Sequence, residues 1–139
     1  MTREQRILLR QTFENLIPLP RKFGVLFYQR LFELDPSLRD LFRGEIDQQA
    51  SMLVQALALA VLKLIDEGRV SEHVADLGVR HRDYGVLGAH YETFGQALVW
   101  TLEQRLGDGF TPELREAWEE AYRELASSMQ RSAHGAAPA

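Results

Sequence analysis

The amino-acid sequence predicts an all-α fold, and three observations carry that prediction. Apolar residues recur at intervals of three and four: Leu8, Phe13, Leu16 and Ile17, then Phe23, Phe27, Leu31 and Leu34, then Leu53, Leu57, Val61 and Leu64. That spacing gathers side chains on one face of a helix. Runs that alternate apolar with polar residues, the mark of a half-buried strand, are missing. Capping and breaking residues fall at the ends of each periodic stretch.

Taken in order, Thr2 with Gln5 forms a capping box for the first helix, and Pro18 and Pro20 end it. The second helix carries Phe23 to Leu34 and breaks at Asp35-Pro36-Ser37, before a short third piece that Gly44 closes. Asp47 caps a long helix reaching about Glu67, where Gly68 stops it. Ser71 caps the segment that carries His81, and Gly85 and Gly88 end that segment. A helix from about Ala89 to Leu106 follows. Thr111-Pro112-Glu113 combines a hydroxyl cap, a proline at the first helical position and an acid in the first turn, and opens a last helix running to about Arg131. Residues 132–139 lack an apolar face and read as a frayed tail, which leaves seven helical pieces in one domain, 1–131.

Composition agrees with a single domain. A chain of 139 residues with 45% hydrophobic content can bury a real core. Sixteen basic and twenty acidic side chains are interspersed, for a net charge of -4, so no basic stripe is available to hold nucleic acid or an anionic membrane surface. No apolar run of the ~20 residues needed to span a bilayer is present, and the polar start Met-Thr-Arg-Glu-Gln is no signal peptide, so a cytoplasmic location is expected. Without cysteine, the chain has no disulfide, no thiolate metal site, no cysteine nucleophile and no Cys-x-x-Cys-His attachment for covalent haem.

His81 is the candidate metal ligand. A histidine on an apolar helix face is more often a satisfied core residue than a ligand, so its surroundings decide. Val74, Leu77 and His81 share a face, and Gly78 and Gly85 leave room for something flat and broad to approach. A neutral imidazole is a good axial ligand for haem iron, with the Leu77 carbonyl one turn earlier as the expected acceptor for its other ring nitrogen. On the opposite wall, Tyr28 and Gln49 are polar residues on otherwise apolar faces, with Leu53 one turn beyond Gln49. A phenol or amide aimed at a polar diatomic ligand stabilises it by roughly 1 to 3 kcal/mol. Leu77, Val86, Phe94 and Leu98 would serve as core in any helical bundle, and their value is positional.

The segment Leu-Gly-Val-Arg-His-Arg-Asp-Tyr-Gly-Val-Leu-Gly-Ala-His-Tyr-Glu-Thr-Phe-Gly-Gln-Ala-Leu, Leu77 to Leu98, with Leu106-Gly-Asp and Glu116-Ala-Trp-Glu-Glu-Ala-Tyr122, resembles the bacterial single-domain globins related to the flavohaemoglobin haem domain and to Vitreoscilla haemoglobin. The resemblance covers nearly the whole chain. It implies a globin fold, a helical sandwich around a pocket for non-covalent haem b (iron protoporphyrin IX). His81 then matches the proximal iron ligand, Phe42 the ring wedged against the haem, Tyr28 the distal tyrosine and Gln49 the distal glutamine. Leu53 takes the place of the apolar residue above the iron, Tyr91 matches a proximal tyrosine, and Leu77, Val86 and Phe94 line the pocket. An alternative register puts Met52 or Leu53 at the distal position and leaves Tyr28 as the only polar donor. Glutamine is a poor iron ligand, so the ferrous resting state is expected to be five-coordinate.

Two departures from the family pattern shape the functional expectation. Flavohaemoglobins use a late glutamate to strengthen the proximal imidazole, whereas the matching stretch here reads Met129-Gln130-Arg131-Ser132-Ala133. Strong proximal push, and with it peroxidase-like chemistry, is less expected. The chain also ends after the haem domain, with no Gly-x-Gly-x-x-Gly and no reductase. The resemblance therefore implies reversible O2 binding, with NO and CO as further ligands. The alternatives are a nitric oxide dioxygenase served by a separate reductase, a gas or haem sensor, and a haem-free helical bundle. Oligomeric state is not readable from the sequence.

Overall fold

Local chemistry sets each helix boundary in the computed structural model, which describes residues 2–16, 20–42, 45–83 and 85–135. Helix α1, Arg3–Leu16, opens on the expected capping box: the Gln5 N–H donates to Thr2 Oγ1 at 3.0 Å and the Thr2 N–H to Gln5 Oε1 at 2.8 Å. Pro20 is the first residue of α2, Pro20–Leu34, and not a stop for α1. A proline at that position loses nothing, since its missing N–H would have had no helical partner. Pro18 lies outside the described residues. The Asp35 carboxylate accepts from the Ser37 N–H at 3.1 Å and from the Ser37 hydroxyl at 2.6 Å, turning the chain into a short 3-10 helix, Pro36–Leu41.

Helix α3 is Ile46–Glu67, and here the sequence reading is corrected. Glu45, with no side-chain capping bond, stands at the cap position, while Asp47 sits inside the first turn and pairs with Arg21 of α2. An acid there still complements the helix N-terminus without acting as its cap. Gly44 lies outside the described residues. At the other end Gly68 adopts φ 72° and returns its N–H to the Leu64 carbonyl at 2.9 Å, a left-handed stop that suits glycine.

Helix α4, Glu72–Asp83, begins with the Val74 N–H on Ser71 Oγ at 3.3 Å, as expected. Gly85 at φ 96° ends the segment, but Gly88 opens α5, Gly88–Leu106, where His90 Nδ1 accepts the Leu87 N–H at 2.9 Å. A 3-10 turn at Gly107–Gly109, absent from the sequence reading, leads into α6, Pro112–Gly135, capped by Thr111 Oγ1 on the Leu114 N–H at 3.2 Å. This helix runs a turn past Arg131 into the stretch read as a tail. Arg82 Nη1 of α4 donates to the Ala133 carbonyl at 2.7 Å, giving a partner to an end group the helix itself leaves open.

These helices pack as an all-α sandwich, with no strand among the described residues. Helix α2 lies against both α3 and α5, α4 lies along α6, and α1 crosses α6. The α2–α3 crossing requires Gly24, because a Cβ there would stand 2.6 Å from Ala50 Cα. Trp118 anchors the core at 1% exposure, with its indole N–H on Thr12 Oγ1 at 3.2 Å and Phe13 edge-on at 5.6 Å. The buried Thr12 hydroxyl in turn donates to the Leu8 carbonyl at 3.0 Å, so this polar pair is satisfied.

Candidate functional site

Helix α4 carries Val74, Leu77 and His81 on one side, with Val74 buried and the other two half-buried. Burial holds the His81 imidazole below its ordinary pKa, so it is neutral at pH 7 and keeps a lone pair. Among the described residues neither ring nitrogen has a hydrogen-bond partner, and the expected bond to the Leu77 carbonyl is not formed. In a continuous helix that carbonyl already accepts the His81 backbone N–H. Just beyond, the Val86 N–H returns to the His81 carbonyl at 2.9 Å and the Gly85 N–H to the Arg82 carbonyl at 3.0 Å. The left-handed Gly85 makes this turn and leaves Val86 half-buried beside α4.

Helix α5 supplies the neighbouring wall. Tyr91 meets His81 edge-on, ring centroids 6.3 Å apart, and Phe94 follows it by one turn. Tyr122 of α6 stands behind: its hydroxyl donates to the Tyr91 carbonyl at 2.5 Å, and its ring occupies the space a Cβ on Gly95 would need. Spacing alone makes Tyr122 a helix-packing residue. Its hydrogen bond joins two helices and has no sequence signature.

Tyr28 lies on α2 at 5% exposure, inside an aromatic cluster. Its ring is 5.2 Å from Phe27, 6.0 Å from Phe32 and 5.1 Å from Phe42, while Phe42 reaches Phe94 at 6.4 Å. The Tyr28 hydroxyl has no hydrogen-bond partner among the described residues. Burial pushes its pKa up to about 12, so the phenol is a proton donor at any physiological pH. Gln49 and Leu53, half-buried, stand one turn apart on α3, and Gln49 already has an interaction of its own. Met52 is 62% exposed, more open than the half-buried Gln49 and Leu53.

Contacts thus run from His81 to Tyr91, along α5 to Phe94, and across Phe42 to Tyr28. The corner after the 3-10 helix closes the circuit, since a Cβ on Gly85 would lie 3.5 Å from Leu41 Cδ2. Around it, Leu41, Phe42, Leu53, Leu57, Leu77, Val86 and Phe94 are all only half-buried. Apolar side chains left part-exposed beside a neutral, unpartnered imidazole fit a flat apolar macrocycle held by one axial nitrogen. No cluster of three or more His, Cys, Asp or Glu occurs among the described residues, so the donor set suits a ligand-carrying macrocycle and not a bare metal ion. A second groove of about 720 Å³ lies between α5 and α6, with Tyr91 and Tyr122 among its lining residues. The Arg115–Glu103 ion pair sits in it and His81 does not line it, so it is no part of this constellation.

Fold and site together define an all-α sandwich in which one neutral histidine stands beside part-exposed apolar side chains. The family model described as Globin matches residues 25–129, and the chain belongs to the globin family. Among curated relatives, Neuroglobin-2 of Oncorhynchus mykiss is 28% identical over 145 residues, covering 94% of this chain and 91% of that protein. Neuroglobin of Tetraodon nigroviridis is 27% identical with the same coverage. Among solved structures, the flavohemoglobin from Malassezia yamatoensis with bound FAD and heme superposes with a TM-score of 0.84 at 20% identity. That match covers 96% of this chain and 37% of the flavohemoglobin, which is a likeness of fold over about a third of the longer protein.

Proposed function

We propose that this chain binds haem b non-covalently through His81 and reversibly binds O2, with NO and CO as further ligands. The observation that carries the reading is the pairing of a neutral, unpartnered imidazole on α4 with an unpartnered buried phenol on α2, joined through one aromatic circuit. Bound haem supplies the iron at which a diatomic gas is held. His81 would hold the iron through a ring nitrogen, and Tyr91, edge-on to the imidazole, limits how that ring can turn. Tyr28 donates a hydrogen bond toward the ligand, with Gln49 as the second polar residue of that wall. Leu53, Phe42, Leu77, Val86 and Phe94 exclude water.

Carriage is favoured over nitric oxide dioxygenase chemistry by the proximal side. Tyr91 has no carboxylate partner among the described residues, and Gln130, in the stretch that matches the flavohaemoglobin glutamate, donates its amide to the Ala126 carbonyl of its own helix at 3.3 Å. The imidazole therefore lacks a strong acceptor to make it more electron-donating. Within the family we place the chain with the cytoplasmic, bacterial single-domain globins, on the strength of the Leu77 to Leu98 segment.

Absorbance spectra of the haem-reconstituted protein, ferric, dithionite-reduced and then oxygenated, test the reading beside His81→Ala. A Soret band that shifts through deoxy and stable oxy forms, lost or altered in the variant, is the expected result. No haem-dependent spectrum would overturn it. Nitrate formed from NO at multiple turnover with an added reductase would move the assignment to the dioxygenase.

A further inference from the structure

On the proximal side, α4 meets α6 backbone to backbone at Gly78, three residues before His81. A Cβ there would stand 2.5 Å from the Met129 carbonyl carbon and 2.6 Å from Met129 Cα of α6. Both are backbone atoms, so no side-chain rotation relieves the overlap, and any side chain at 78 must move one helix off the other. One turn further on, Arg82 Nη1 donates to the Ala133 carbonyl of the same helix at 2.7 Å. His81 lies between these two fastenings, 78 to 129 and 82 to 133, which are each four residues apart and so in register along both helices. The bond that would otherwise orient the imidazole, to the Leu77 carbonyl, is not made, and among the described residues the turn after α4 is closed by backbone bonds of its own.

We infer that Gly78 is a positioning residue for the iron ligand: the glycine-tight crossing of α4 on α6, fastened by Arg82, sets where the His81 imidazole stands relative to the haem. The inference rests on the haem reading above and adds to it the element that holds the ligand. The proximal histidine is placed by contact between helix backbones, and among the described residues no carboxylate is hydrogen-bonded to it. A helix carrying a metal ligand that is free to shift transmits the shift to the metal–ligand bond, as outer contacts of metal sites do.

Gly24 provides a comparison of the same kind, because a Cβ there would stand 2.4 Å from the Ala50 carbonyl oxygen in the α2–α3 crossing, against 2.0 Å from the Met129 carbonyl oxygen at Gly78, a backbone overlap away from α4. The experiment is resonance Raman spectroscopy of the deoxy-ferrous holoprotein, reading the iron–histidine stretch, together with haem dissociation into excess apomyoglobin, for wild type, Gly78→Ala and Gly24→Ala. The expected result is a displaced or broadened stretch and haem loss about tenfold faster or more in Gly78→Ala, with the stretch of Gly24→Ala at the wild-type position. An unmoved stretch in Gly78→Ala overturns the inference, and so does an equal displacement in both variants, which would report general loosening. Should Gly78→Ala fail to fold, Arg82→Gln decides: a smaller displacement of the same band supports the positioning role, and none overturns it. A wild type with no iron–histidine band overturns the haem reading itself, a result distinct from any of these.

Discussion

The Tyr122 hydroxyl donates to the Tyr91 carbonyl at 2.5 Å, so a side chain of α6 fastens the first turn of α5 directly behind the ring that meets His81. The proximal wall is therefore held from α6 twice, through Tyr122 on α5 and through the Gly78 crossing on α4. Helix α6 is the frame against which the candidate ligand is set.

Tyr122→Phe should lower stability by about 1 kcal/mol, read as a shifted urea midpoint with unchanged slope. The ring still fills the space beside Gly95, and the Tyr91 carbonyl keeps its helical partner, so the loss is one hydrogen bond and not an orphaned group. An unchanged midpoint would mean that the interhelical bond contributes nothing.

Alkaline pH should weaken the apoprotein through Tyr28. Its pKa in the fold is about 12 against an ordinary 10, because burial disfavours the phenolate. A group whose pKa is raised by folding contributes its full stability below the unfolded value, and loses it as pH climbs through the folded value. The loss therefore falls between pH 10 and about 12 and reaches roughly 3 kcal/mol. Burial raises the pKa of Tyr91 and Tyr122 as well, so the wild-type decline is the sum of several residues. Unfolding free energies across this window should show a shallower decline in Tyr28→Phe, and identical curves would sink the assignment.

How much of this was legible in the sequence follows the range of each interaction. Thr2, Asp35, Ser71, Thr111 and Gly68 act on residues two to four away, and each does what its local pattern says. Asp47 misled because its partner, Arg21, belongs to another helix. The end of α6 misled for the same reason, since Arg82 reaches the Ala133 carbonyl from α4. At the site, periodicity put Val74, Leu77 and His81 on one face and the family resemblance selected Tyr28 and Phe42, while the Tyr122–Tyr91 bond and the Gly78–Met129 approach depend on how helices cross. No spacing within one helix encodes such a crossing.

Tyr28→Phe should act oppositely on ligand and fold. The hydroxyl has no protein partner among the described residues, so removing it should leave apoprotein stability at pH 7 unchanged or slightly raised. Losing a hydrogen bond of ~1.4 kcal/mol to the ligand raises O2 dissociation about tenfold. Stopped-flow displacement of O2 by CO reads the rate. An unaltered off-rate would place the phenol away from the ligand.

Thr12 and Trp118 offer a test of the core apart from the site. The Trp118 indole N–H is buried and donates to Thr12 Oγ1, itself buried and committed to the Leu8 carbonyl. Thr12→Val keeps the shape but strands a buried donor, at a cost of about 1 to 3 kcal/mol. Trp118→Phe leaves Thr12 with its Leu8 partner but opens space around a smaller ring, a packing loss of similar order. With Trp118→Phe already in place, Thr12→Val no longer strands an N–H, so the double variant should be less destabilised than the sum of the singles by about 1 kcal/mol or more. Urea unfolding of the four proteins measures that coupling. Additive losses would show that the indole bond contributes no net stability, leaving α1 and α6 joined by packing alone.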